Sequence, residues 1–242
     1  MTFAFLVFAS TSIADGYGTM QLDSGERQVA LIELYTSEGC SSCPPADRWL
    51  SELKSDTRLW ADFVPVALHV DYWNYIGWTD RFSKSSYSDR QRAYVRNGNA
   101  RASYTPGFFN NGKEWRGWFS GNALTTSSPS VGNLILGLDG NSIAVRFNSL
   151  ADFNDELIVN IAILGMQLES DVRAGENNGR KLQHDFVVLN IQSYDMHDSV
   201  GGYKTIATVD DVQTEAEQLA LVAWISTNND QASIQAVGGY LP

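Results

Sequence analysis

Two apolar runs bracketing one helical stretch near the start of the chain limit the fold more than any other feature. Residues 28–35 read QVALIELY and residues 63–70 read FVPVALHV. Each is short, apolar on both faces and bounded by polar residues, the pattern of a strand buried within a sheet. Between them, ADRWLSELK places Trp49, Leu50 and Leu53 on one helical face. Pro44-Pro45 stand just ahead, where proline suits a first turn because its missing N–H has no intrahelical partner to lose. Strand, helix and strand in so short a span form a crossover that leaves the two strands parallel.

An aromatic stretch, DYWNYIGWTDRFSKSS, follows, and then a polar helix to about Asn97, closed by Gly98. GFFNNGKEWRGW carries Asn111-Gly112, a strong hairpin signal because both residues tolerate positive φ. TTSSPS, residues 125–130, is linker-like. Beyond it lie NLILGL, SIAVRF, ELIVNIAIL, KLQHDFVVL, KTIATV, QLALVAWI and SIQAVGGYL, separated by turn residues. That spacing predicts an antiparallel β-sandwich-like domain over 131–242, after an α/β domain over 25–125.

Charge narrows the partners. With 28 acidic against 17 basic residues in 242, net −11, the chain lacks the basic footprint that nucleic acid requires. The opening MTFAFLVFASTSIADG has a short apolar core and small residues at Ser12-Ile13-Ala14, without Lys or Arg ahead of them. It reads as a signal peptide over 1–14, or else as a buried first strand. The first reading predicts a periplasmic or secreted protein, an environment in which a disulfide persists. No other stretch reaches the ~18 apolar residues of a spanning helix, so no stable membrane insertion is expected.

The chain has two cysteines, Cys40 and Cys43, in SEGCSSCPPADRWL. As a staple their disulfide is inefficient: so small a loop contributes roughly 2 kcal/mol by chain entropy, against about 3 for fifteen residues. As a reagent the spacing makes sense, because the second thiol can resolve a mixed disulfide formed by the first. A helix N-terminus favours the thiolate, and attack requires that Cys40 be exposed there. A zinc site wants four ligands, and only His69, His184 and His197 could supplement the pair, without finger spacing. Cu(I) could be held by two thiolates and His69. Redox work, an inert disulfide and soft-metal binding all remain open on the residues alone.

The second strand ends in His69-Val70-Asp71, at the sheet edge where open α/β sheets place their sites. Asp71, Tyr72 and Trp73 are therefore expected near Cys40. Asp71 is a proton relay or a cap, and His69 a satisfied buried histidine or a ligand. Glu33, inside an apolar strand, either pairs with a base or accepts a proton. Tyr72, Trp73, Tyr75, Trp78, Phe108 and Phe109 form a peptide cleft or an inter-domain core. Arg90, Arg92 and Arg96 read as a solvated helix face. Asn178-Gly179 marks a turn, and His184 has no assigned chemistry.

Four segments carry a resemblance. LIELYTSEGCSSCPPAD, ALHVDYWNYIGWTDRFSKSSYSDRQRAYV, SYTPGFFNNGKEWRG and AGENNGRKLQHDFVV, in that order, resemble the secreted thioredoxin-like family catalogued as domain of unknown function 1223. The resemblance implies a thioredoxin-like N-terminal domain, a β-rich C-terminal domain and export. By similarity to that wider fold, Cys40 attacks, Cys43 resolves, and Pro106 is a cis-proline facing them. Thr105 would then offer backbone groups to an extended substrate. The chain departs from ordinary thioredoxins in having Gly39 before the pair, Ser41-Ser42 within it, and Glu33 one residue off the buried-acid spacing.

The resulting expectation is a thiol–disulfide oxidoreductase acting on protein thiols or disulfides, served by an unidentified redox partner and without a dissociable cofactor. Cys40, Cys43, Pro106, Asp71 and Glu33 would carry the chemistry. Thr105, Tyr72, Trp73 and Phe108 would contact substrate. A Cu(I) carrier and a binding module with an inert disulfide are the alternatives.

Overall fold

The structure, a computed structural model, describes residues 16–126 and 129–242, so the expected signal peptide lies outside the described residues. In chain order the elements are β1 (Thr19–Asp23), β2 (Ala30–Thr36), α1 (Pro44–Glu52), β3 (Phe63–His69), α2 (Ser85–Arg96), β4 (Gly107–Asn110) and β5 (Lys113–Glu114). They continue with β6 (Gly132–Asp139), β7 (Ser142–Ser149), β8 (Leu157–Met166), β9 (Leu168–Asp171), β10 (Lys181–His184) and β11 (Val187–Asp195). The last are β12 (His197–Ser199), β13 (Gly202–Thr208), β14 (Gln218–Thr227) and β15 (Gln235–Tyr240).

The crossover forms as its apolar pattern requires. β2 and β3 pair in parallel from Ala30↔Phe63 to Thr36↔His69, and every residue of both strands is buried. β4 returns antiparallel on the other side of β2, with Gly107 opposite Tyr35. The β4–β5 turn falls on Asn111 and Gly112, at φ 46° and 79°.

The expected fold class does not hold. Strands account for 43% of the residues and helices for 14%. Among the described residues there is no α/β thioredoxin-like domain followed by a separate sandwich. One eight-stranded sheet, in the order β15-β14-β8-β11-β3-β2-β4-β5, runs through both halves of the chain. The joint is β11 against β3: Val187 pairs in parallel with Ala67, and the Ala67 N–H donates to Phe186 O at 2.8 Å. β3 is thus an inner strand, met by β11 at one parallel pair of residues.

Two cores follow from this sheet. One apolar cluster includes Tyr35, Leu50, Phe63, Tyr94 and Trp224, with α1 and α2 on opposite faces of the sheet: Trp49 of α1 packs on Phe108, and Tyr94 of α2 on its strand neighbour Phe109. A second sheet, in the order β1-β6-β7-β13-β12, packs over β8, β14 and β15. Phe147, Ile161, Leu221 and Val237 meet in that second core. The strand runs read from residues 131–242 are all present. KLQHDFVVL is broken by Phe186, at φ 57°, into β10 and β11.

Candidate functional site

Cys40 and Cys43 are joined by a disulfide, with their Cα atoms 5.4 Å apart. The buried strand β2 feeds a short turn in which the Cys40 N–H donates to Ser37 O at 3.1 Å. The N–H groups of Ala46 and Asp47 then donate to Cys43 O at 2.8 and 3.0 Å, opening α1. The pair therefore spans the entrance to the helix, as Pro44-Pro45 suggested.

The expectation that Cys40 is exposed fails. Cys40 is 1% exposed and Cys43 0%. The β9–β10 connection, residues 172–180, lies over them as a strap. Glu176 Oε2 accepts the Ser41 N–H at 3.0 Å and the Ser41 hydroxyl at 2.7 Å. The buried Asn177 amide donates to Glu38 O at 2.8 Å and Cys40 O at 2.9 Å, while Arg180 holds Asn177 Oδ1 at 3.0 Å. Trp73 and Ile76 close the other side, so near that a Cβ on Gly39 would lie 3.1 Å from Trp73 Cβ and 3.3 Å from Ile76 Cδ1. Glycine before the pair is what permits this approach.

The Thr105–Pro106 bond is cis. Trp73 ties this loop to the site, its Nε1–H donating to Thr105 Oγ1 at 2.8 Å. Trp73 thus lies against both the turn before Cys40 and the residue before Pro106.

Other expected residues are engaged elsewhere. Asp71 Oδ1 accepts the Ser88 hydroxyl at 2.5 Å and the Asp71 N–H donates to that oxygen at 3.2 Å, which fastens the loop to α2. Tyr72 donates to Gln91 Oε1 at 3.0 Å. Glu33, fully buried, accepts from Arg90 Nε at 2.7 Å, Tyr94 at 2.5 Å and Tyr35 at 3.1 Å. It is the paired carboxylate of the two alternatives. Arg90 accordingly leaves the solvated face: its guanidinium lies 5.3 Å from the ring centre of Trp224. Phe108 is sealed in the core against Trp49, Trp115 and Trp118, so it has no surface for a substrate.

Sequence reasoning missed the most unusual feature, a buried acid–imidazole cluster behind the disulfide. Glu38 comes two residues before Cys40 and Asp47 one helical turn after Cys43. His184 Nε2 lies 3.6 Å from Glu38 Oε1, and its Nδ1 lies 3.7 Å from Asp47 Oδ2. His69 Nδ1 bonds Asp80 Oδ2 at 2.7 Å, and the two imidazole rings are 5.0 Å apart. All five residues are buried. Among the described residues, Thr36 Oγ1, Glu38 Oε1, His69 Nε2, Ser170 Oγ and both ring nitrogens of His184 are buried without a hydrogen-bond partner.

The protonation preferences differ within the cluster. Burial pushes Asp47 above the ordinary carboxylate range, against the opposing pull of His184 and His69. Burial also works to raise Glu38 and Asp80. The His184 contact overrides it at Glu38 and the His69 contact at Asp80, so both sit below the ordinary range. Burial works to lower His69, but Asp80, then Asp47 and Glu38, bring it above its usual value. A cavity of 460 Å³ reaches this cluster from the surface, lined by Pro44, Asp47, Lys54, His184 and Asp185 among others. Among the described residues no group of three His, Cys, Asp or Glu is arranged to hold a metal ion.

Fold and site together define a β-rich protein with a Cys-x-x-Cys disulfide between a buried parallel strand and a helix. The profile described as "Protein of unknown function (DUF1223)" matches residues 31–226, and the chain belongs to that family. No curated protein matches it significantly. Two solved structures are similar in fold. One is a crystal structure of a protein from Agrobacterium tumefaciens, 23% identical, with TM-score 0.60 over 88% of this chain and 94% of that one. The other is HBP35 of Porphyromonas gingivalis, 13% identical, with TM-score 0.57 over 90% of this chain and 76% of that one.

Proposed function

We propose that the protein is an exported thiol–disulfide oxidoreductase that exchanges with protein thiols or disulfides through Cys40 and Cys43. One observation carries this reading: the disulfide is backed by a buried cluster of two imidazoles and three carboxylates with unpartnered polar atoms. Such a cluster is costly to bury and does nothing for a structural staple. Groups with displaced protonation gather where protons must be exchanged, and a thiol–disulfide couple exchanges them. Trp73 and Thr105 form the adjoining wall, and Tyr75, 82% exposed, offers an apolar surface beside it. Reaction requires the strap to lift, which its few contacts to Ser41, Glu38 and Cys40 allow. Export rests on the apolar opening of the sequence.

The burial of both sulfurs favours a second reading, an inert disulfide in a binding module. Cys43→Ser protein expressed in its native compartment separates the two. Exchange predicts substrates captured as mixed disulfides on Cys40. An empty trap, with a reduction potential below about −300 mV, supports the inert disulfide.

A further inference from the structure

We infer that Asp47 is the proton acceptor and donor for the Cys43 thiol, and that His184 passes its proton to solvent through the cavity between α1 and β10. This assignment rests on the exchange reading above and adds a site residue to it. The geometry comes from three elements. Cys43 caps α1 and Asp47 lies four residues further on, in its first turn, joined by the Asp47 N–H to Cys43 O bond at 3.0 Å. Side chains at that spacing share a helix face, with Cβ atoms ~5–6 Å apart. His184 comes from β10 and stands 3.7 Å from Asp47 Oδ2 on one ring nitrogen and 3.6 Å from Glu38 Oε1 on the other. Asp47 and His184 both line the 460 Å³ cavity, whereas the strap lies over Ser41 and Cys40.

The groups facing Asp47 make it a suitable store. His184 approaches from β10, Thr36 lies at the end of β2, and the bonded His69–Asp80 pair stands behind. At the rim, Lys54 is occupied by Asp185 at 2.7 Å and Lys181 by Glu169 at 2.6 Å, and Arg48 also lines the cavity. Burial then favours its protonated form, while the two ring nitrogens of His184 face Asp47 on one side and Glu38 on the other.

Starting from the disulfide, a substrate thiolate attacks Cys40 Sγ. The Cys40–Cys43 bond breaks with its electron pair on Cys43 Sγ, which takes the proton from Asp47. The substrate sulfur is oxidised to a mixed disulfide and Cys43 is reduced to a thiol. In reverse, Asp47 removes the Cys43 proton, Cys43 Sγ attacks Cys40 Sγ, and the substrate leaves as a thiolate. Asp47 is restored in either direction by proton exchange through His184.

The test uses the full chain, reduced and then mixed with dithiobis-nitrobenzoate in a stopped-flow instrument. Attack by Cys40 releases a first coloured thiolate, and attack by Cys43 on the resulting mixed disulfide releases a second. Asp47→Asn should leave the first release unchanged and slow the second about hundredfold near neutral pH, the scale of a lost general base. Its residual rate should then follow the thiol's own titration near pH ~8.5, instead of the carboxylate's. An unchanged second release in Asp47→Asn overturns the assignment and leaves exchange standing. No release from the wild-type protein overturns both. Should Asp47→Asn fail to fold, the wild-type profile decides: a second release with a thiol-like midpoint also overturns it.

Discussion

Asn177 Nδ2 lies 2.9 Å from the carbonyl oxygen of Cys40, a bond between residues 137 apart in sequence that pins the strap onto the disulfide. The same amide holds Glu38 O, and Asn177 itself is fully buried. Asn177→Ala therefore removes both bonds; Cys40 O keeps the Cys43 N–H at 3.2 Å, while Glu38 O loses its side-chain donor, a loss of about 1–3 kcal/mol. We expect a lower urea midpoint together with faster reduction of the Cys40–Cys43 bond by glutathione. Unchanged reduction in a folded variant would show that the strap does not control access.

Glu33 and Arg90 form a buried pair remote in role from the cysteines. Arg90→Ala leaves the Glu33 carboxylate buried among Tyr35 and Tyr94, and should cost about 3–5 kcal/mol of stability, as broken buried ion pairs do. Under conditions where the variant stays folded, both thiolate releases should keep their wild-type rates. A selective slowing of the second release would return Glu33 to the proton chemistry.

The acid–imidazole cluster also predicts a pH dependence of stability. Asp47 has its folded pKa raised, so its favourable contribution is complete below the unfolded value of about 3.9 and is lost as pH rises through the folded one. His69, also raised, behaves alike with its unfolded value at about 6.5. Glu38 and Asp80, both lowered, contribute above their unfolded values and lose that contribution as pH falls through the folded ones. Asp47→Asn isolates one sign: its urea midpoint should gain on the wild type as pH rises from ~4 to ~7. A gap independent of pH would mean that Asp47 ionises as freely folded as unfolded.

What the sequence disclosed and what it withheld divide by the range of the interaction. β2, α1 and β3 were legible because burial on both faces and a proline-led helix write their signals locally. The Asn111-Gly112 turn was legible for the same reason. The strap was not, because Asn177 and Glu176 act through polar bonds spanning 135 residues or more, without periodicity to announce them. The Glu38–Asp47–His69–Asp80–His184 cluster draws on loop, helix and two strands, so no single stretch looks unusual. Asp47 in the first turn reads as ordinary dipole compensation, and only its burial makes it distinctive.

The joint between β11 and β3 escaped notice on the same grounds, and it supports the last prediction. If the two halves were separate domains, each would unfold with its own midpoint. A shared eight-stranded sheet makes β3 and β11 mutually dependent, so tryptophan fluorescence and far-UV circular dichroism should give superimposable urea transitions. Ala67→Pro sharpens the comparison, since it deletes the N–H that bonds Phe186 O at 2.8 Å from the centre of an inner strand. Proline at such a position is expected to cost about 3 kcal/mol or more. Both probes should shift together, because loosening β3 removes the support on which β11 and β8 lie. A variant that loses the β2–α1–β3 signal while the β6–β7–β13 sheet unfolds at its original midpoint would show instead that the halves are energetically independent.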